Sequence, residues 1–198
     1  MIEGLTTVTF VEENGKTRLT LHTRAKGGGT LVAQMVSGME AGWTQSIDKL
    51  EESFGEMAPR QIVTTRIFNA PRDVVFKAWT DPEQLAQWWG PKGFTNTFYE
   101  FDLRPGGYWR FIMHAPNGTD FPNESLFDEI IPPRLIRFRH LSSHFFQVTV
   151  VFTDLGNKTK ITWRMLFDNP AELDKVKSFA VPANEQNMDR LAALLAKI

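Results

Sequence analysis

His140 is the side chain whose type and setting best suit chemistry near neutral pH. It closes the run Leu135-Ile136-Arg137-Phe138-Arg139-His140, where alternation puts it on the same face as Ile136 and Phe138. An imidazole on an apolar face can orient a ligand or exchange a proton, although a histidine simply hydrogen-bonded in place gives the same pattern. His114 and His144 fall near strand ends or turns and are expected in solvent. No two histidines sit at metal-ligand spacing on one element, and no His-Glu helix motif occurs, so neither a metal nor another cofactor is expected. No Ser-His-Asp arrangement is visible by spacing. Arg104, before Pro105-Gly106-Gly107, has the donor fork for a carboxylate. The simpler reading is a charge ladder of Glu100, Asp102 and Arg104 on one strand face. The Gly106-Gly107 pair joins two strands rather than opening a helix, so it reads as a turn and not as a phosphate cradle. Trp88-Trp89-Gly90-Pro91 sets two large rings beside a turn. Either one ring gates a cavity while the other packs, or both plug the core.

The whole composition narrows these options. The 198 residues contain no cysteine, which removes disulfides, Cys-ligated zinc, iron–sulfur clusters and thiol nucleophiles. Twenty-two basic against 23 acidic side chains give a net charge of −1, without the basic field that non-specific nucleic-acid binding needs. Arg134, Arg137 and Arg139 alternate with apolar residues and read as the wet face of a strand. The first residues lack a basic segment followed by an apolar one, and no run of about 18 apolar residues occurs. The expectation is a cytoplasmic protein with no membrane insertion.

The elements that must position the candidates come in two sets. With a shift of 142, Phe10-Val11-Glu12-Glu13-Asn14-Gly15-Lys16-Thr17-Arg18-Leu19-Thr20 falls on the stretch from Phe152 to Thr162, and Gln45 to Leu50 falls on Gln186 to Leu191 after a one-residue deletion. Both copies read as strand, turn, strand, helix. In the first, Val8, Phe10, Leu19 and Leu21 alternate around Asn14-Gly15. Leu31, Met35, Met39, Trp43, Ile47, Leu50 and Phe54 then form a helical stripe. Residues 1–57 are thus a partial repeat, ending near Gly55 to Arg60, and residues 60–198 a complete unit. A lone hairpin is marginal in water, so the partial repeat is expected to need a partner. A homodimer through it is the expectation.

In the complete unit, Ile62 to Phe68 reads as a strand. Helices follow around Val74 to Trp79 and from Glu83 to Trp89, then strands at Thr97 to Leu103, Tyr108 to His114, Glu124 to Ile130, Leu135 to Leu141, Phe146 to Thr153 and Lys160 to Phe167. A last helix runs from Ala171, with a break or restart at Pro182 left open. Strands segregated from helices mean an α+β fold, solved most economically by a curved antiparallel sheet wrapped around the C-terminal helix. Alternation then turns Trp109, Phe111 and Met113 inward, with Ile136, Phe138 and His140, Val148, Val150 and Phe152, and Ile161, Trp163 and Met165.

The stretch from Phe68-Asn69-Ala70-Pro71 through Ala78-Trp79-Thr80-Asp81-Pro82 to Trp88-Trp89-Gly90-Pro91 resembles the opening of the family of homologues of the heat-shock-protein-90 ATPase activator. That family belongs to the helix-grip superfamily of START and Bet v-like (SRPBCC) proteins. Asp102-Leu103-Arg104-Pro105-Gly106-Gly107-Tyr108-Trp109 is similar to its second motif, and Asn184-Glu185-Gln186-Asn187-Met188-Asp189-Arg190-Leu191 to its C-terminal helix. Residues 4–54 resemble the family's last two strands and final helix. The resemblance implies a helix-grip fold and a tandem protein whose first copy lacks its front.

A helix-grip fold implies a cavity between helix and sheet. Its candidate lining is Trp89, Trp109, Phe111, Met113, Phe138, His140, Val150, Phe152, Trp163, Met165 and Met188, and the same residues also serve as plain core. The function expected is binding of a small hydrophobic or aromatic molecule, more in keeping with a binding protein than with an enzyme. Two alternatives stand beside it. One is a co-chaperone with a heat-shock ATPase as partner, against which nothing in residues 1–59 resembles the activators' additional chaperone-engaging domain. The other is an aromatase, cyclase or hydrolase using His140 as base.

Overall fold

The computed structural model describes residues 3–13, 16–26, 38–39, 42–50, 55 and 58–198. The turn residues Asn14 and Gly15, and Leu31, Met35 and Phe54 of the expected stripe, lie outside them. The chain forms two compact units, Met1–Gly55 and Glu56–Ile198.

In the first unit β1 (Glu3–Glu13) pairs antiparallel with β2 (Lys16–Lys26), and residues 42–50 are helical (α1). Phe10 stands opposite Leu19 and Val8 opposite Leu21. A shift of 142 turns these pairs into Phe152 opposite Ile161 and Val150 opposite Trp163, which is the register found in the second unit.

The second unit opens with a single 3₁₀ turn, Ala58–Arg60, and β3 (Gln61–Phe68). Two short helices follow, α2 (Arg72–Thr80) and α3 (Pro82–Trp88). Asp81 separates them: its carboxylate accepts from the N–H groups of Glu83 and Gln84 at 3.0 and 3.3 Å, and Pro82 takes the first helical position, where no N–H is missed. Then come β4 (Thr95–Phe101), β5 (Tyr108–His114), β6 (Asp120–Ile131), β7 (Leu135–His140), β8 (Phe146–Asp154) and β9 (Thr159–Phe167). The seven strands lie in the order β3-β9-β8-β7-β6-β5-β4, antiparallel throughout. The fold is α+β, a helix-grip arrangement with a long last helix, α4 (Pro170–Leu195). Asn169 caps α4 by accepting from the Glu172 N–H at 3.1 Å. Pro182 lies inside the continuous helix on its exposed side and neither breaks nor restarts it.

Strand alternation decides the core. On β9 Thr159, Ile161, Trp163, Met165 and Phe167 are all buried while the residues between them are not. Trp109, Phe111, Ile136, Phe138, Val148, Val150 and Phe152 are buried with them. Leu173, Val176, Ala180, Asn184, Asn187, Met188 and Leu191 form the buried stripe of α4. Trp79, Trp88, Trp89, Trp109 and Trp163 form one chain of ring contacts with centroids 4.8–5.8 Å apart.

Polar residues at the end of α4 tie it to the rest. The Arg190 guanidinium donates to the backbone carbonyls of Gln87, Trp89, Gly90 and Pro91 at 2.8–3.3 Å. Asn187 Oδ1 accepts from the Gly90 N–H at 2.6 Å, and Gln186 Oε1 from the Lys92 N–H at 2.9 Å. Arg66 on β3 pairs with Glu185 and Asp189. Gly90 meets this clamp with φ +96°, a conformation side chains rarely adopt, and a Cβ there would press on Met113.

The expected ladder of Glu100, Asp102 and Arg104 forms differently. β4 ends at Phe101, so Asp102 and Arg104 pair with each other in the turn. The ladder is centred on Arg110, which reaches Glu100 at 2.6 Å and Glu124 at 2.7 Å. Gly107 packs so tightly on the Asp102 carbonyl that no side chain fits.

Hydrogen bonds to charged groups contribute about 1.5–3 kcal/mol each, non-additively. Arg190→Ala is therefore expected to cost about 2–4 kcal/mol and lower Tm by roughly 5–12 °C. Arg190→Lys should recover less than half of that, because an ammonium lacks the planar fork that spans four carbonyls. Calorimetric melts of both variants within a degree of the parent would refute the clamp.

Candidate functional site

A cavity of about 510 Å³ lies between the sheet and α4. Its walls are mostly apolar: Phe111 and Met113 from β5, Phe138 from β7, Phe146 and Val148 from β8, Trp163 and Met165 from β9, and Val176, Phe179, Ala180 and Ala183 from α4. The clamped turn Trp89-Gly90-Pro91 and the nearby Phe94 complete them. Phe121 and Phe179 line the cavity yet remain 48% and 56% exposed, which puts them where it meets solvent.

The candidates from the sequence divide. Trp89, Phe111, Met113, Phe138, His140, Trp163 and Met165 face the cavity. Trp109, Val150, Phe152 and Met188 do not, being fully buried elsewhere in the core. Trp109 is enclosed by the rings of Trp89, Phe98, Phe101, Phe111, Phe127 and Phe138, and Phe152 packs edge-on against Phe76 and Trp79 of α2. Alternation gives the face of a strand, and α2 and α3 cover part of that same face.

Trp88 and Trp89 separate into two roles. Trp88 is fully buried and its indole N–H donates to the Ala78 carbonyl at 2.9 Å. Trp89 leaves the helix at an extended backbone position, ψ 133°, and turns onto the cavity wall, where it stacks on Trp163 at 5.3 Å.

The polar part of the lining is small. Asn184 and Asn187 come from α4, Asn123 and Ser125 from β6, and His140 from β7, beside Ser142, Ser143 and His144 of the following loop. Sequence reasoning missed the asparagines and serines, whose one signal was the Asn184-to-Arg190 motif on α4. Asn184 Nδ2 donates to Thr64 Oγ1 at 3.3 Å. His140 stacks flat on Phe146, centroids 4.6 Å and planes 5° apart. Its Nδ1 lies 2.9 Å from the His144 carbonyl oxygen and its Nε2 3.1 Å from Asn123 Oδ1. His144, expected in solvent, thus holds the ring through its backbone. Among the described residues the titratable lining is Asp120, His140 and His144, with no lysine or arginine.

His114, also expected in solvent, is partly covered. It joins Asp120 at 2.6 Å to Thr97 at 2.9 Å, a carboxylate–imidazole–hydroxyl chain assembled from three strands that no sequence spacing displays. It lies on the side of β5 opposite Met113, and Thr97 is exposed. Among the described residues no group of three or more metal-type side chains converges, and no helix is long and apolar enough to cross a membrane.

Burial pushes the His140 pKa below its ordinary value; the contact with the His144 carbonyl opposes that shift and the His144 ring adds to it. The unfolded chain therefore binds a proton on this residue at a higher pH than the folded one does. Stability from this group is fully present above the unfolded value of about 6.5 and declines as pH falls toward the lower folded value. Urea melts at pH 7.5 and 5 should show the loss, and His140→Phe should make it smaller. An equal pH dependence in the variant would remove His140 as its source.

Comparison with known proteins agrees with this architecture. No curated protein matches the chain. A protein from Nitrosomonas europaea, seen by crystallography, superposes with a TM-score of 0.66 at 21% identity over 71% of this chain and 96% of its own. A solution structure from Arthrobacter aurescens gives 0.67 at 22% over 72% and 89%, and a crystal structure from Chromobacterium violaceum 0.62 at 25% over 69% and 98%. The family model described as activator of Hsp90 ATPase homolog 1-like protein matches residues 2–55 and 69–196. Covered over most of its length in this way, the chain belongs to the activator of Hsp90 ATPase homolog 1-like family.

Proposed function

We propose that residues 60–198 form a binding module that holds a small, uncharged, hydrophobic or aromatic molecule between α4 and the sheet. The observation that carries this reading is the cavity of about 510 Å³, a volume in the range of ligand sites, walled by aromatic side chains with a few converging polar groups. Among the described residues the lining offers no lysine or arginine to neutralise an anion. Binding needs no chemistry from the wall, and His140 is held there as a polar anchor, not as a base.

The test is a neutral apolar fluorophore, N-phenyl-1-naphthylamine, with native mass spectrometry of the freshly purified protein for retained molecules. The probe should bind with micromolar affinity and quench tryptophan emission through Trp89 and Trp163. Ala183→Trp, which fills the cavity from α4, should weaken it at least tenfold. A probe that does not bind would defeat this reading. The regulator role suggested by the family description would then lead, with stimulation of a heat-shock ATPase as its mark.

The first unit is, in this reading, a partial second copy of the same fold that joins two chains into a homodimer. Its support is the shared hairpin register, together with Leu5 and Phe10, which are 66% and 65% exposed. Large exposed apolar side chains on a two-stranded sheet favour association. Sedimentation should report a dimer for the full chain and a monomer for Phe10→Glu. A monomeric parent protein would dismiss the idea.

A further inference from the structure

The polar corner formed by His140 and Asn123 has a hydrogen-bonding deficit of one definite kind. The His144 carbonyl oxygen, 2.9 Å from Nδ1, can only accept, so Nδ1 carries a proton. Burial favours the neutral ring, and a neutral imidazole has one N–H, so Nε2 is a bare acceptor. Nε2 faces Asn123 Oδ1 across 3.1 Å. The Asn123 amide is not free to turn over, because its Nδ2 donates to the Phe121 carbonyl at 2.7 Å, and the reversed amide would set Oδ1 against that oxygen. Two acceptors therefore face each other with no proton between them, on the wall of the cavity. Acceptors placed so are costly until a donor arrives.

We infer that the cavity selects ligands bearing a hydroxyl on an aromatic or otherwise apolar frame, the hydroxyl donating into the pair His140 Nε2 and Asn123 Oδ1. This rests on the proposed binding role of the cavity and narrows its ligand class. The frame lies among Phe111, Phe138 and Trp163, while Phe146 beneath the imidazole and the His144 carbonyl fix the ring's plane and tautomer. A ketone or ether brings only acceptors and leaves the corner unsatisfied. A carboxylate brings acceptors and a charge that no lysine or arginine of the described lining meets. A hydroxyl brings the missing proton, and a site that relies on a ligand's donor discriminates strongly against the analogue lacking it.

The experiment compares 2-naphthol with 2-methoxynaphthalene, a pair alike in frame and differing in the donor, by calorimetric titration of the full chain at pH 7.5. The expected result is at least tenfold tighter binding of 2-naphthol, with the preference falling below threefold in His140→Phe. That variant keeps a flat ring over Phe146; Asn123→Ala is the second variant and should cut the preference also. Equal binding of the two probes to the parent protein would overturn the donor inference alone and leave the cavity a ligand site. Failure of both to bind would overturn the binding role and this inference with it. The ring nitrogens of His140, read by ¹⁵N NMR at pH 7.5, should show one protonated and one bare nitrogen, and a doubly protonated ring would overturn the assignment of Nε2 as acceptor.

Discussion

The grip of α4 on the turn Trp89-Gly90-Pro91 is the contact on which the site depends. A sheet that closes fully on a helix is held by packing, but a sheet that leaves about 510 Å³ beside the helix has given up apolar contacts along that length. Directional bonds take their place at one end. Arg190 satisfies carbonyls of Gln87, Trp89, Gly90 and Pro91 that lie at and just beyond the C-terminus of α3, where no intrahelical donors remain. Burial lowers the Arg190 pKa; the acceptors of its guanidinium are peptide oxygens at the negative end of a helix. Asn187 binds the same turn from the donor side through Gly90. One turn of α4 thus fixes both polarities of the loop that carries Trp89 to the cavity wall.

The aromatic cluster shows a second consequence. Among the described residues, the buried indole N–H groups of Trp79, Trp109 and Trp163 have no hydrogen-bond partner, whereas Trp88 finds the Ala78 carbonyl. Unpaired N–H groups are tolerated where ring-on-ring contacts are dense, as among Trp79, Trp89 and Trp163. The cluster reaches the cavity wall through Trp89 and Trp163. Polar side chains on that wall include His140, Asn123, Asn184 and Asn187, each hydrogen-bonded to a neighbour.

Period-two alternation makes most of the sheet legible in the sequence. It put Trp109, Phe111, Phe138, Val150, Phe152, Trp163 and Met165 on the inner face, where they are buried. It did not tell which inner residues face empty space, because that depends on where α2 and α3 lie over the sheet. Phe152 is covered by Phe76 and Trp79, while Phe138 is left beside the cavity. Long-range polar bonds were illegible for another reason. Arg190 and Gly90 are a hundred residues apart, and nothing local in either marks the other. The ladder around Arg110 is not legible from alternation, because the strand stops at Phe101, short of Asp102 and Arg104.

Under the proposed repeat, the first unit keeps one half of this pattern of residues and changes the other. On the proposed repeat, Met188 and Leu191 correspond to Ile47 and Leu50, so the apolar stripe of the helix is kept. Asn184, Asn187 and Arg190 correspond to Trp43, Ser46 and Lys49. None of the three replacements can do the original work: an indole has no amide to reach a threonine, a serine is too short for the reach of an asparagine, and an ammonium has no fork for several carbonyls. The side chains that would hold a cavity-forming turn are the ones replaced, while Ile47 and Leu50 stay apolar and are exposed. A copy altered in this pattern suits a packed contact surface and not a second ligand site.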